Sequence, residues 1–187
     1  MTRTRNVAVI VGSLRRDAFS RKLAHVLIEL APPTLAPAIV EIGALPLYNP
    51  DLEEGGPPAP WAEFRAAVRA ADALLFVTPE YNRSVPGALK NAIDVGSRPS
   101  GQSVWSGRPG AVASISPGTI GAFGANHHLR QSLVFLDVPV LQQPEAYLGN
   151  AAALFGTDGK LAKEETREFL RKFMTAFANW VERNAKA

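Results

Sequence analysis

Two stretches of this chain, "NVAVIVG" at 6–12 and "ALLFVTP" at 73–79, are apolar runs rich in branched residues, with no polar alternation. A strand with one wet face alternates apolar and polar side chains. A run without alternation has both faces covered. That constraint favours a parallel sheet sandwiched between helices, and the rest of the chain agrees with it. Positions Phe19, Leu23, Val26, Leu27 and Leu30 form a helical stripe over 19–30, which "APPTLAP" at 31–37 terminates. "AIVEI" at 38–42 is a short β-branched second strand, and "WAEFRAAVRAAD" at 61–72 a second helix. After the third strand, Pro86 opens a helix at its first turn, with Ala88, Leu89, Ala92 and Ile93 on one face. "RPGAVASIS" at 108–116 reads as a fourth strand. Residues 125–137 read as a fourth helix that buries Leu129, Leu133, Val134 and Leu136. "VPVLQQPEAYL" carries a short fifth strand, and a long amphipathic helix at 161–183 presents Phe169, Leu170, Phe173, Phe177, Trp180 and Val181.

Strand and helix alternate five times without a repeat or a linker. The pattern predicts one α/β domain over 1–187, with right-handed crossovers. In such sheets ligands bind beyond the carboxyl ends of the strands. The loops after the first, third and fourth strands are therefore the candidates for function. "GALPLYNPDLEEGGPPAP" at 43–60 is a further long loop, whose prolines and glycines oppose regular structure. Loops of that length are uncommon without a function.

Composition narrows the chemistry. The 187 residues hold no cysteine, which excludes disulfides, thiolate catalysis, thiolate zinc sites and the tyrosine-phosphatase mechanism. It also fits a reducing cytoplasm. The apolar run near the N-terminus is too short for a signal sequence, and no stretch approaches a membrane span. A net charge of +3 is scattered rather than clustered, so nucleic-acid binding is not expected. His127 and His128 are neighbours on different helix faces and do not form a metal pair, and His25 stands apart from both.

The first loop, "GSLRRDAFS", joins a strand to a helix N-terminus, whose free N–H groups and dipole attract anions. Ser13 and Ser20 offer hydroxyls and Arg15 a guanidinium fork, a set suited to a phosphate monoester. The loop is neither a Walker loop nor a dinucleotide glycine motif. An ordinary turn with solvated arginines explains it about as well. The second loop sets Pro79, Glu80, Tyr81 and Asn82 directly after a buried strand, where backbone amides and Asn82 can meet the edge of a heterocycle. Ser84 is placed to cap the following helix, and Lys90 to pair with Asp94. The third loop, "SISPGTIGAFG", brings Ser116, Gly118 and Thr119 to the same edge.

Together "GSLRRDAFSRKLA", "LPLYNPDLE", "TPEYNRSVPGALKNAID" and "HHLRQSLVFLDVPVL" resemble the NADPH-dependent FMN reductase family, in its chromate and quinone reductase branch. The resemblance implies a three-layer flavodoxin-like fold with a five-stranded parallel sheet in order 2-1-3-4-5. It implies FMN with its phosphate on Ser13, Arg15 and Ser20, and its ring edge against Pro79, Glu80, Tyr81 and Asn82. Ser116, Gly118 and Thr119 would lie on the other side. It further implies NADPH or NADH as cosubstrate, and ping-pong transfer to a small-molecule acceptor such as a quinone, chromate or an azo compound. A homodimer or homotetramer formed through the 86–97 and 125–137 helices is implied as well. The chain departs from the family pattern at Ala18, Ser20 and Arg83, where serine, asparagine and an aromatic residue are usual. Arg83 at the site mouth can attract an anionic acceptor or a phosphate of NADPH, or simply face solvent. The rival readings are an electron-carrying flavodoxin and a flavin-free binder of a phosphorylated small molecule.

Overall fold

A computed structural model of the protein describes residues 3–156 and 159–185. Five parallel strands form one sheet in the order β2-β1-β3-β4-β5, as expected. The strands are β1 (Arg5–Val11), β2 (Leu35–Ile39), β3 (Ala73–Thr78), β4 (Gly110–Ile115) and β5 (Ala146–Leu148). The helices are α1 (Phe19–Glu29), α2 (Ala59–Arg69), α3 (Gly87–Gly96), α4 (Phe123–Phe135), the short α5 (Ala151–Leu154) and α6 (Glu164–Asn184).

The unalternated runs are explained by two cores, one on each face of the sheet. Val7, Val9, Val11, Leu75 and Val77 face α1 and α6. Ala8, Ile10, Leu74, Phe76 and Val112 face α2, α3 and α4, around the fully buried Trp61 and Trp105. All six residues of β3 and of β4 are buried. The helix α6 buries Leu170, Phe173, Met174, Phe177 and Val181, each a side chain whose burial stabilises by about 1.5–3 kcal/mol.

Several sequence expectations need correction. The second strand is Leu35–Ile39, so it begins inside the segment read as a helix breaker. Pro37 is tolerated because β2 lies at the edge of the sheet and pairs only with β1. Val134 is not buried but 74% exposed, as is Phe135 at 86%. The 43–60 stretch holds one turn of 3-10 helix, Pro50–Glu53, and Asn49 caps it by accepting from the Asp51 N–H. The helix α5 was not foreseen, since four residues are too few to carry a period.

Candidate functional site

Gly12 continues the ladder of β1 by donating to the Val77 carbonyl at 2.9 Å. A Cβ at Gly12 would lie 3.0 Å from Pro79 Cδ and 3.0 Å from Thr78 Oγ1. Glycine therefore lets the first and second loops touch. Ser13 is buried, its Oγ is 3.2 Å from the Tyr81 hydroxyl, and it accepts the Arg15 N–H at 3.3 Å. Helix α1 follows with Ala18 at its N-cap, no side-chain cap and no acid in the first turn. Ser20, in that first turn, is 1% exposed and its hydroxyl has no partner among the described residues. A polar group buried without a partner costs about 1–3 kcal/mol, and an anion seated on the helix end would remove that cost.

The arginines of this loop divide cleanly. Arg21 forks onto Glu41 at 2.9 and 2.8 Å. That hydrogen bond raises the guanidinium pKa and holds the Glu41 carboxyl below its ordinary value. Arg15 and Arg16 are exposed and able to fold over a ligand. Uncapped amides, a hydroxyl without a partner among the described residues, a second serine and an exposed guanidinium form a donor set that fits a phosphate dianion.

In the second loop, Tyr81 and Ser84 exchange backbone bonds at 3.1 and 3.0 Å. Asn82 and Arg83 between them have φ of 51° and 65°, the left-handed pair of a two-residue hairpin turn. The Tyr81 amide is thus consumed inside the hairpin. One oxygen of the Glu80 carboxylate accepts the Ala125 N–H of α4 at 3.0 Å, and the other lies 4.0 Å from the Arg83 guanidinium. Ser84 does not cap α3, whose N-cap is Pro86; its hydroxyl instead lies 3.0 Å from His128 Nδ1 on α4. Lys90 and Asp94 pair as expected, at 2.7 Å. Arg83 projects from the hairpin tip, 76% exposed.

In the third loop, the Ser116 hydroxyl donates to the Gly118 carbonyl at 3.2 Å, and Asn150 N–H donates to the same carbonyl at 3.0 Å. Gly118 and Thr119 are exposed at the edge of the sheet. The long 43–60 loop approaches from the other side, where Gly43 lies against Leu14. Buried Asn91 of α3 holds this loop. Its Oδ1 accepts the Tyr48 N–H at 2.8 Å, and its Nδ2 donates to the carbonyls of Leu45 (3.3 Å) and Pro46 (3.0 Å). Trp61 Nε1 also donates to Pro46, and Arg65 pairs with Glu53.

The edge of the sheet therefore carries a helix end lined with donors, a two-residue hairpin and two flanking loops. Residues 5–153 match the profile of a family described as NADPH-dependent FMN reductase. The chain belongs to this family. It is 63% identical over 184 residues to a quinone reductase of Pseudomonas putida, covering 98% of both chains. It is 47% identical to a 2-hydroxy-1,4-benzoquinone reductase of Burkholderia sp, covering 94% of this chain and 95% of that one. Among solved structures, FerB, a flavoenzyme NAD(P)H:(acceptor) oxidoreductase of Paracoccus denitrificans, superposes with a TM-score of 0.91. It is 42% identical and covers 98% of this chain and 100% of that one. This reductase is accordingly an FMN-dependent enzyme with NAD(P)H as cosubstrate.

The fold of the reductase brings Ser13, Tyr81 and Pro79 into one cluster, with Ser20 at the start of α1 behind it. Asn82, Gly118 and Thr119 stand exposed on the neighbouring loops. Two further residues tie the loops together that the motif reading gave no such role, Asn91 and His128, while Gly12, read as the residue of the tight turn, brings the first two loops into contact. A signal existed for Asn91, an amide set among the apolar positions Leu89, Ala92 and Ile93. None existed for His128, whose partner is 44 residues away.

Proposed function

We propose that this reductase transfers reducing equivalents from NAD(P)H through FMN to a quinone, by ping-pong kinetics. NAD(P)H, a proton and the quinone become NAD(P)⁺ and the hydroquinone. Bound FMN supplies the hydride chemistry, and the protein binds and orients it. The observation that carries this reading is the partnerless Ser20 hydroxyl at the uncapped start of α1. Ser13, Ser20, Arg15 and the amides of that turn hold the phosphate. Pro79, Glu80, Tyr81 and Asn82 line the ring edge, the backbone of Tyr81 being taken up by the hairpin, and Ser116, Gly118 and Thr119 border the opposite side. Fixed amide dipoles in such a place favour the negative charge that builds up on reduction. No side chain serves as nucleophile or obligate acid.

Relatives named for quinone and hydroxybenzoquinone reduction support a quinone as acceptor. Chromate and azo compounds are further acceptors, and Arg83, exposed at the hairpin tip, is the cation that an anionic one meets. Among the described residues no helix is long and apolar enough to cross a membrane, and the absence of cysteine suits the cytoplasm. The chain assembles as a homodimer or homotetramer through the groove between α3 and α4, where Ile93, Arg98, His128 and Phe135 converge.

The test is direct. Purified protein mixed with FMN quenches the flavin's fluorescence and takes up its visible spectrum. The complex then oxidises NADPH or NADH with 1,4-benzoquinone in the steady state, giving parallel lines in double-reciprocal plots. Flavin uptake without that turnover would identify an electron carrier, and no uptake would overturn the reading.

A further inference from the structure

The cap of α4 comes from a distant loop. Its own N-cap, Ala122, is left-handed at φ 62° and provides no side-chain bond. Glu80, from the loop after β3, fills that role by accepting the Ala125 N–H. Its carboxylate is only 15% exposed, and it sits where the helix dipole favours negative charge. Gly124 shows how close the two elements lie. A Cβ there would be 2.7 Å from the Arg83 carbonyl and 2.9 Å from Glu80 Oε2, so the hairpin rests directly on the first turn of α4. At the far end of the hairpin Ser84 meets His128, again on α4. The hairpin needs such anchors. It is a two-residue turn with two non-glycine residues at positive φ, and a lone hairpin is marginal in water.

We propose that Glu80 is a positioning residue. By capping α4, its carboxylate clasps the 79–84 hairpin to the loop ahead of α4, so that two of the three loops at the site present one fixed backbone surface. Its second oxygen lies 4.0 Å from the Arg83 guanidinium, so the carboxylate also ties the hairpin tip to the same clasp. This rests on the reading of the site as a flavin site.

Two substitutions separate the clasp from the charge. In Glu80→Gln the amide oxygen still accepts from Ala125. In Glu80→Ala nothing does. In the FMN-free full-length chain, hydrogen exchange at the Ala125 amide should speed up at least tenfold in Glu80→Ala and stay within threefold of the parent in Glu80→Gln. The FMN dissociation constant should rise at least tenfold in the first and hold within threefold in the second. The flavin midpoint potential should be unchanged in Glu80→Gln. Gly124→Ala attacks the same contact from α4 and should weaken FMN like Glu80→Ala, which keeps the proposal testable if Glu80→Ala folds poorly. Unchanged exchange in Glu80→Ala would refute the clasp. Lost protection with parental FMN affinity would refute its positioning role. A raised potential in Glu80→Gln would mean that the carboxylate acts on the ring by its charge. A parent that takes up no FMN would overturn the flavin reading and the positioning role together, while the exchange result would still decide the clasp.

Discussion

Ser20 holds a hydroxyl at 1% exposure with nothing to bond. In the flavin-free protein that group is a cost, and with a phosphate on α1 it is a donor. The two states predict opposite effects for one substitution. Ser20→Ala should leave the melting temperature of the flavin-free chain unchanged or raise it. It should also weaken FMN about tenfold or more, the loss of a hydrogen bond to a charged group being worth about 1.5–3 kcal/mol. Calorimetry with and without FMN measures both. Residues of this kind were legible: a serine in the first turn of a helix that follows a buried strand must sit near the helix end. The direction in which a long side chain points was not. Glu80 stood out as a candidate site residue, yet only the packed structure turns its carboxylate onto Ala125, 45 residues away. Arg15 was preferred to Arg21 for the anion, but Glu41 as the partner that takes up Arg21 was not visible in the sequence.

Among the elements, the 43–60 loop differs most from its appearance in sequence. Its prolines and glycines read correctly as irregular backbone, but irregular did not mean loose. Asn91 satisfies one amide and two carbonyls of the loop from inside α3, while Tyr48 stacks on Trp61 with ring centroids 5.4 Å apart. Asn91→Ala removes all three of these bonds, with Pro46 keeping only its bond from Trp61, so it should destabilise the protein by about 1–3 kcal/mol. Limited proteolysis should then cut within residues 44–56, where the parent resists. If the loop stays protected, Asn91 does not hold it. The misplaced second strand has a similar cause. Proline reads as a breaker in a central strand and is acceptable at an edge, and edge position is a property of the sheet rather than of the segment.

At the scale of the whole molecule, α4 carries Val134 and Phe135 into solvent beside the groove it forms with α3. Large apolar groups exposed side by side mark contact surfaces. Phe135→Asp should therefore shift the protein to a smaller species in sedimentation, with the loss of an aromatic anchor worth about 2 kcal/mol or more of association energy. The isolated subunit should still fold, since Phe135 lies outside both cores. An unchanged mass would mean that assembly uses another face. In sequence, Val134 read as core because its spacing matched the stripe of Leu129 and Leu133, and a helix period does not reveal how wide a face is covered. That difference runs through the whole protein. Sequence alone determined the parallel sheet, the alternation of strand and helix, and the sheet edge that gathers the candidate loops. Each follows from short-range facts: unalternated apolar runs, helix periods, and residue types next to a strand end. Tertiary structure alone decided which strand takes the edge, where Glu80 and Asn91 make their bonds, and which apolar residues of α4 stay exposed. Those outcomes depend on groups tens of residues away, and only the packed sheet and helices bring them within bonding distance.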